Sequence, residues 1–214
     1  MSRSTDSASA ADYIPETQSL RTLARTAEFC EGCDLFRHAT QVVFGEGTRK
    51  ARLVLVGEQP GDQEDRQGKP FVGPAGKLLY KCLNEAEVPT DSLYVTNAVK
   101  HFKFVMTGKR RLHQKPSARE VRACHPWLQR ELEIVQPEVL VLLGAIAARS
   151  VLGTEVRVTK DHGKWMVSAW CANTMVTVHP SAVLRNPRAD LRDEMKLLLL
   201  SDLRTVARRL LKSA

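Results

Sequence analysis

At 214 residues the chain is long enough for one well-buried domain and too short for two comfortable ones. Its 32 Lys and Arg against 24 Asp and Glu leave a net charge of +8 and a pI near 9.4, which suits a polyanionic partner, nucleic acid first. The longest apolar run, Val139 to Ala148, has ten residues, short of the roughly 18–20 needed to cross a bilayer, and the start lacks the apolar core of a secretory signal, so a cytoplasmic setting is expected.

Residues 1–19 are rich in Ser, Ala, Thr and Asp without apolar periodicity and read as a mobile tail, leaving 20–214 as a single domain. Leu20, Leu23, Ala24 and Ala27 fall at helical spacing, which predicts a short helix from Leu20 to Cys30 that delivers Cys30 and Cys33. The run Arg52–Val56 is short and continuously apolar, the mark of a strand covered on both faces in a parallel sheet. Leu93–Asn97, Val139–Gly144 and Met175–His179 repeat that pattern. Helical patterns at Ala75–Ala86, Ser117–Val135 and Ala145–Leu152 lie between them, with Ser117 and Glu120 forming a capping box. A last helix, Asp190 to Leu211, carries an apolar stripe through Leu191, Met195, Leu198, Leu199 and Leu203. The predicted fold is α/β, a three-layer αβα sandwich with a central, mainly parallel four-stranded sheet.

In such sheets ligands bind beyond the carboxyl ends of the strands. There the chain places Gly57-Glu58-Gln59-Pro60-Gly61-Asp62, Asn97 and His179-Pro180-Ser181, groups expected to converge on one cleft. The loop Thr107–Pro116 after the second strand should hang over the same edge; it crowds Lys109, Arg110, Arg111 and Lys115 around His113. Glu64 and Asp65 read as solvated acids.

Cys30-x2-Cys33 is a pair suited to gripping one metal centre, and an odd count of five cysteines suits ligation better than a disulfide framework. Cys124 is the natural third ligand; His101, His125, Cys82 and Cys171 are candidates for the fourth.

The runs Gly57–Gly61, Gly68–Gly76, Val95–Lys100 and His179–Ser181, in this order, resemble the iron–sulphur uracil-DNA glycosylases of family 4, over about Cys30 to Arg185. Two departures, His101 where that family usually has cysteine and the added Lys109–His113 loop, resemble its UdgX subgroup, whose members stay covalently joined to DNA after excising uracil. The resemblance implies a [4Fe-4S] cluster on Cys30, Cys33, His101 and Cys124, with a structural role. It also implies uracil-containing DNA as the partner, single strands preferred. Nothing in the chain demands more than a monomer, and a bacterial, nucleoid-associated setting is expected.

On the same resemblance, Phe71 stacks on the flipped base, Asn97 reads uracil N3–H and O4, and His179 bonds O2 as the base departs. His113 is the expected nucleophile at C1′ of the deoxyribose, with Glu58, Gln59 and Asp62 as active-site neighbours that orient it or the sugar. Lys109, Arg110 and Arg111 should clamp phosphates and disfavour the protonated form of His113. Arg185 is expected on a DNA-facing loop. Two alternatives stand beside this reading: a turnover glycosylase with water as nucleophile, and a non-catalytic iron–sulphur protein that binds uracil-containing DNA.

Overall fold

The computed structural model describes residues 9–212. Four parallel strands form its centre: β2 (Leu53–Gly57), β3 (Leu93–Asn97), β6 (Val139–Leu143) and β8 (Thr174–Thr177). Two antiparallel edge strands of two residues each, β1 (Glu46–Gly47) and β7 (Trp165–Met166), complete a six-stranded sheet in the order β1-β3-β2-β6-β8-β7. The four central strands match the expectation; the two short edges add to it, being too brief to leave a periodic signal.

Every residue of the four central strands is buried, which explains their unbroken apolar runs. The two faces nonetheless separate by alternation. Leu53, Leu55, Val95, Val141 and Met175 face α3 (Pro74–Glu85) and α8 (Ala189–Lys212), joining Leu79, Leu83, Leu199 and Leu203. Val54, Val56, Tyr94, Leu142 and Val176 face α4 (Ala118–Val135) and α5 (Gly144–Leu152). The sandwich therefore has three layers. Ser117 caps α4 as expected: its side chain accepts from the Glu120 amide while Glu120 accepts from the Ser117 amide.

A third apolar cluster joins α1 (Leu20–Ala27) to α4 through Leu23, Ala27, Leu35, Phe44 and Trp127. The expected tail contributes to it. Ala10 is buried there and Tyr13 and Ile14 pack against it, in a short helical turn over Ala10–Tyr13. Its apolar residues are too few to produce periodicity, so composition misassigns residues 10–19; residues 1–8 of that tail lie outside those described. Three short helices also escape the periodic reading: α2 (Asp62–Gln67), α6 (Val158–Asp161) and α7 (Pro180–Arg185).

Candidate active site

The parallel register sets Gly57 of β2 opposite Asn97 of β3, so Glu58-Gln59 and Asn97 leave the sheet side by side. His179-Pro180-Ser181 follows β8 and opens α7. Between these ends lies a cavity of about 420 Å³, in the size range of ligand sites. Glu58, Gln59, Asp62, Phe71, Asn97, His113, His179 and Arg185 all line it, as do Ser181 and Leu184.

On the floor, the Asn97 amide lies directly over Gly57. A β-carbon on Gly57 would come within 2.3 Å of Asn97 Oδ1 and 2.7 Å of Phe71 Cζ, so only glycine leaves both groups in place. Phe71 adopts φ +56°, a conformation that side chains rarely take, and its carbonyl sits where a β-carbon on Gly76 would be, at 1.8 Å. Its ring lies near-parallel to that of His179, with centroids 6.4 Å apart.

The tautomer of His179 follows from its neighbours. Nδ1 accepts the Ser181 amide N–H at 3.1 Å, so the proton of the neutral ring sits on Nε2. Burial, reinforced by Arg185 and His113, holds its pKa down at about 4, which keeps the ring neutral. Ser181, present in the motif but assigned no role from sequence, thus sets which nitrogen of His179 is a donor.

The stretch expected as a loop is a hairpin. β4 (Phe104–Thr107) pairs antiparallel with β5 (Arg110–His113), and Gly108 at φ +58° makes the two-residue turn. His113, a third of its side chain exposed, stands opposite Phe104 at the base. The Gln59 carbonyl oxygen accepts the Lys103 amide at 3.2 Å, which identifies its nitrogen; that nitrogen lies 2.9 Å from both Gln114 O and His113 Nε2. Glu58 Oε1 is 3.6 Å from the same ring nitrogen. Burial holds the His113 pKa below the ordinary histidine value and Arg185 lowers it further. The cation acting on His113 is therefore Arg185, 72 residues along the chain, in place of the hairpin cations expected to do so.

Arg111 likewise departs from its expected duty as a phosphate clamp. Its guanidinium grips Asp62 and, at 2.6 Å, the fully buried Asp65, and lies over the Phe102 and Phe104 rings. Asp62 pairs with both Arg66 and Arg111 through its carboxylate, which anchors the hairpin to α2. Asp65 also accepts the Thr40 amide. Glu64 is buried too and accepts the amides of Gly61 and Gly73, so neither acid is a solvated one. The i, i+3 spacing of Asp62 and Asp65 was the available signal, since it puts both carboxylates on one helix face. Lys109 and Arg110 are exposed at the hairpin tip, and Arg185 is exposed at the end of α7.

At the far end of the turn after β3, Cys30, Cys124 and His101 are buried and Cys33 half-buried. Among the described residues no three His, Cys, Asp or Glu side chains close around a single-ion position. The donor chemistry nevertheless fits a thiolate-bound group. Trp127 Nε1–H points at Cys30 Sγ (3.2 Å) and the Lys100 amide at Cys124 Sγ (3.3 Å), bonds that favour anionic sulphur. Burial opposes this, pushing the Cys33 and Cys124 thiols up to about 11 and about 12, so these sulphurs become anionic only with a cation bound beside them; it also holds the His101 imidazole at about 4 and hence neutral. Of the other candidates, His125 packs edge-on against Trp170, Cys82 lies in the α3 core and Cys171 points at Pro137 O.

Fold and site together define an α/β protein with a cavity beyond its strand ends, lined by an aromatic ring and hydrogen-bonding side chains. Comparison with known proteins sharpens this: the description of the uracil DNA glycosylase superfamily matches residues 44–204. The chain is 37% identical over 164 residues to the type-4 uracil-DNA glycosylase of Thermotoga maritima, covering 76% of this chain and 82% of the relative. It is 35% identical over 184 residues to the type-4 enzyme of Archaeoglobus fulgidus, covering 83% and 88%. With the type-5 enzyme of Thermus thermophilus it shares 36% over 123 residues, about half of each chain. The chain belongs to the uracil DNA glycosylase superfamily, and is a DNA glycosylase of that family.

Proposed function

We propose that this glycosylase excises uracil from DNA, preferring single strands, and that His113 then bonds to C1′ of the exposed deoxyribose. The observation that carries the reading is the seat of His113: it lines the same cavity as Phe71, Asn97 and His179, with Nε2 held 2.9 Å from the Gln59 amide nitrogen.

A base inside a duplex is out of reach, so the nucleotide is flipped or taken from a single strand. Phe71 stacks on it. The Asn97 amide accepts from N3–H and donates to O4, a pattern that cytosine reverses; a site built on such bonds discriminates by as much as ~10⁴–10⁵. As the C1′–N1 bond breaks, its electron pair leaves with uracil and His179 Nε2–H donates to O2, the role of an oxyanion hole. The Gln59 N–H gives up its bond to His113 Nε2, and the freed lone pair of that ring forms the new bond to C1′. Its Nδ1 proton then leaves to solvent, and Gln59 keeps the Gln114 and Lys103 carbonyls as acceptors. The Glu58 carboxylate offsets the positive charge that develops on the sugar. Lys109, Arg110 and Arg185 hold flanking phosphates. Asp62 acts through Arg111, by fixing the hairpin.

Cys30, Cys33, His101 and Cys124 would hold a [4Fe-4S] cluster, which when bound cross-links the segment after α1 to α4 and the turn after β3. A broad visible absorbance in the purified protein, lost with Cys30→Ser, is expected; zinc in its place would overturn the assignment. The protein is proposed to act as a monomer at the nucleoid, as one domain.

A turnover reaction with water as nucleophile is the second reading, and the type-4 relatives support it more directly, because the resemblance associates that family with hydrolysis. A denaturing gel with a single-stranded oligonucleotide carrying one uracil decides between them. A band that survives boiling and detergent, absent with a thymine control and with His113→Ala, supports capture by His113. Alkali-labile abasic sites without such a band establish turnover instead. Neither product would leave only a uracil-DNA-binding protein.

A further inference from the structure

Three residues beyond Asn97, the Lys100 side chain runs back into the protein and is 1% exposed. All three ammonium donors are used: on Glu131 Oε2, on Thr96 Oγ1 at 2.6 Å and on the Asn97 backbone carbonyl at 2.8 Å. Glu131, from α4, is completely buried and also accepts Tyr94 OH at 2.8 Å, Thr96 Oγ1 at 2.9 Å and the Gly45 amide at 3.1 Å. A buried ion pair of this kind adds little stability over apolar side chains of similar volume, so its value lies in what it holds still.

What it holds is the end of β3. The ammonium draws on the carbonyl of Asn97, while the Asn97 amide lies across Gly57 with no space for a β-carbon beneath it. A small shift of that backbone would move the amide directly. The Lys100 amide, meanwhile, donates to Cys124 Sγ, so one residue ties the cysteine-rich end to the cavity floor.

We propose that Lys100 and Glu131 form a positioning pair for Asn97, setting the pose in which its amide reads the base. The proposal rests on the uracil-excising function argued above. It assigns the pair no contact with substrate.

The test is a mutant cycle on the full-length protein. Lys100→Met alone leaves Glu131 buried and unpaired and is expected to fold poorly. Lys100→Met with Glu131→Gln keeps the volume and an acceptor for Tyr94 and Gly45 but removes both charges. Single-turnover release of uracil from a single-stranded oligonucleotide is measured for this double variant, with and without Asn97→Ala, and melting is followed by circular dichroism. The expected result is a folded double variant that releases uracil roughly tenfold or more slowly than the parent, a deficit that disappears once Asn97 is alanine. An equal deficit in both backgrounds, or no deficit in either, overturns the positioning role. A parent protein that releases no uracil removes the function on which the role depends.

Discussion

Gln59 and His113 meet nitrogen to nitrogen at 2.9 Å. Because the Gln59 carbonyl is occupied by the Lys103 amide, the nitrogen of that amide is the donor and His113 Nε2 the acceptor. The ring therefore carries its proton on Nδ1, and the Nε2 lone pair is held by the Gln59 N–H at the wall of the cavity. Glu58 Oε1 lies 3.6 Å from the same nitrogen, and burial raises the pKa of its carboxyl. This arrangement holds His113 Nε2 at the cavity wall, where the proposed attack on C1′ needs it.

Replacing Gln59 by alanine removes four contacts that join β2 to the base of the hairpin. Covalent attachment is expected to slow by about 10–100-fold, the effect of losing one to three kcal/mol of hydrogen bonding at a positioned group. Uracil release should fall less, because Asn97, Phe71 and His179 are untouched. Quantifying adduct and free uracil in one time course checks this; equal losses would contradict it.

Arg111→Ala leaves Asp65, which has no exposed surface, without its cation. Breaking a buried pair from one side costs about 3 kcal/mol or more, which for a chain of this size lowers the melting temperature by about 6–12 °C. Arg111→Lys should recover only part, since an ammonium cannot reach both Asp62 and Asp65 with a guanidinium's fork. Hydrogen exchange at Thr107–His113 should rise in the alanine variant. Unchanged exchange there would mean that the Asp62–Arg111–Asp65 link does not hold the hairpin.

The acid limb of adduct formation provides a sign test. The proposed attachment requires neutral His113, whose pKa is lowered from the ordinary histidine value by burial first and Arg185 second. The rate should thus hold as pH falls through 6.5 and drop only when the lowered pKa is crossed. Arg185→Ala removes a cation that disfavours the imidazolium, so the inflection should move to higher pH. Glu58 moves the same way, because burial raises its pKa and Arg185 opposes that rise. An inflection that stays put, or moves to lower pH, would remove Arg185 from the electrostatics of the site.

Gly57→Ala puts a methyl group 2.3 Å from Asn97 Oδ1 and 2.7 Å from Phe71 Cζ. One of the two must move, at a cost of about 1–3 kcal/mol, which should appear as a roughly 10–100-fold loss of uracil excision. Gly76→Ala acts on the same wall from behind, through the Phe71 carbonyl at 1.8 Å. Wild-type kinetics in both variants would show that neither Asn97 nor Phe71 needs its present seat.

The central strands and main helices were legible because burial on both faces demands continuous apolar residues and a half-buried helix demands a 3.6-residue stripe. Those are local signals, written in neighbouring residues. The motifs at the strand ends were legible for a related reason: a parallel sheet sends the residues after each strand to one edge, so Glu58, Asn97 and His179 had to gather there. Residues 10–19 were not legible, since Ala10, Tyr13 and Ile14 find their apolar partners on α4 and not in their own segment.

The sequence by itself determined the layers, the edge of the sheet at which the cavity opens and the residue types that meet there. Only the tertiary structure decided how they meet. Gln59 finds His113 across 54 residues, Arg111 finds Asp65 across 46, and Lys100 finds Glu131 across 31. Hydrogen bonds and buried ion pairs depend on distances of a few tenths of an ångström between such remote groups, and no periodicity along the chain encodes them. That is why the tautomers of His113 and His179, and the commitment of Arg111 to carboxylates in place of phosphate, emerged only once the chain was folded.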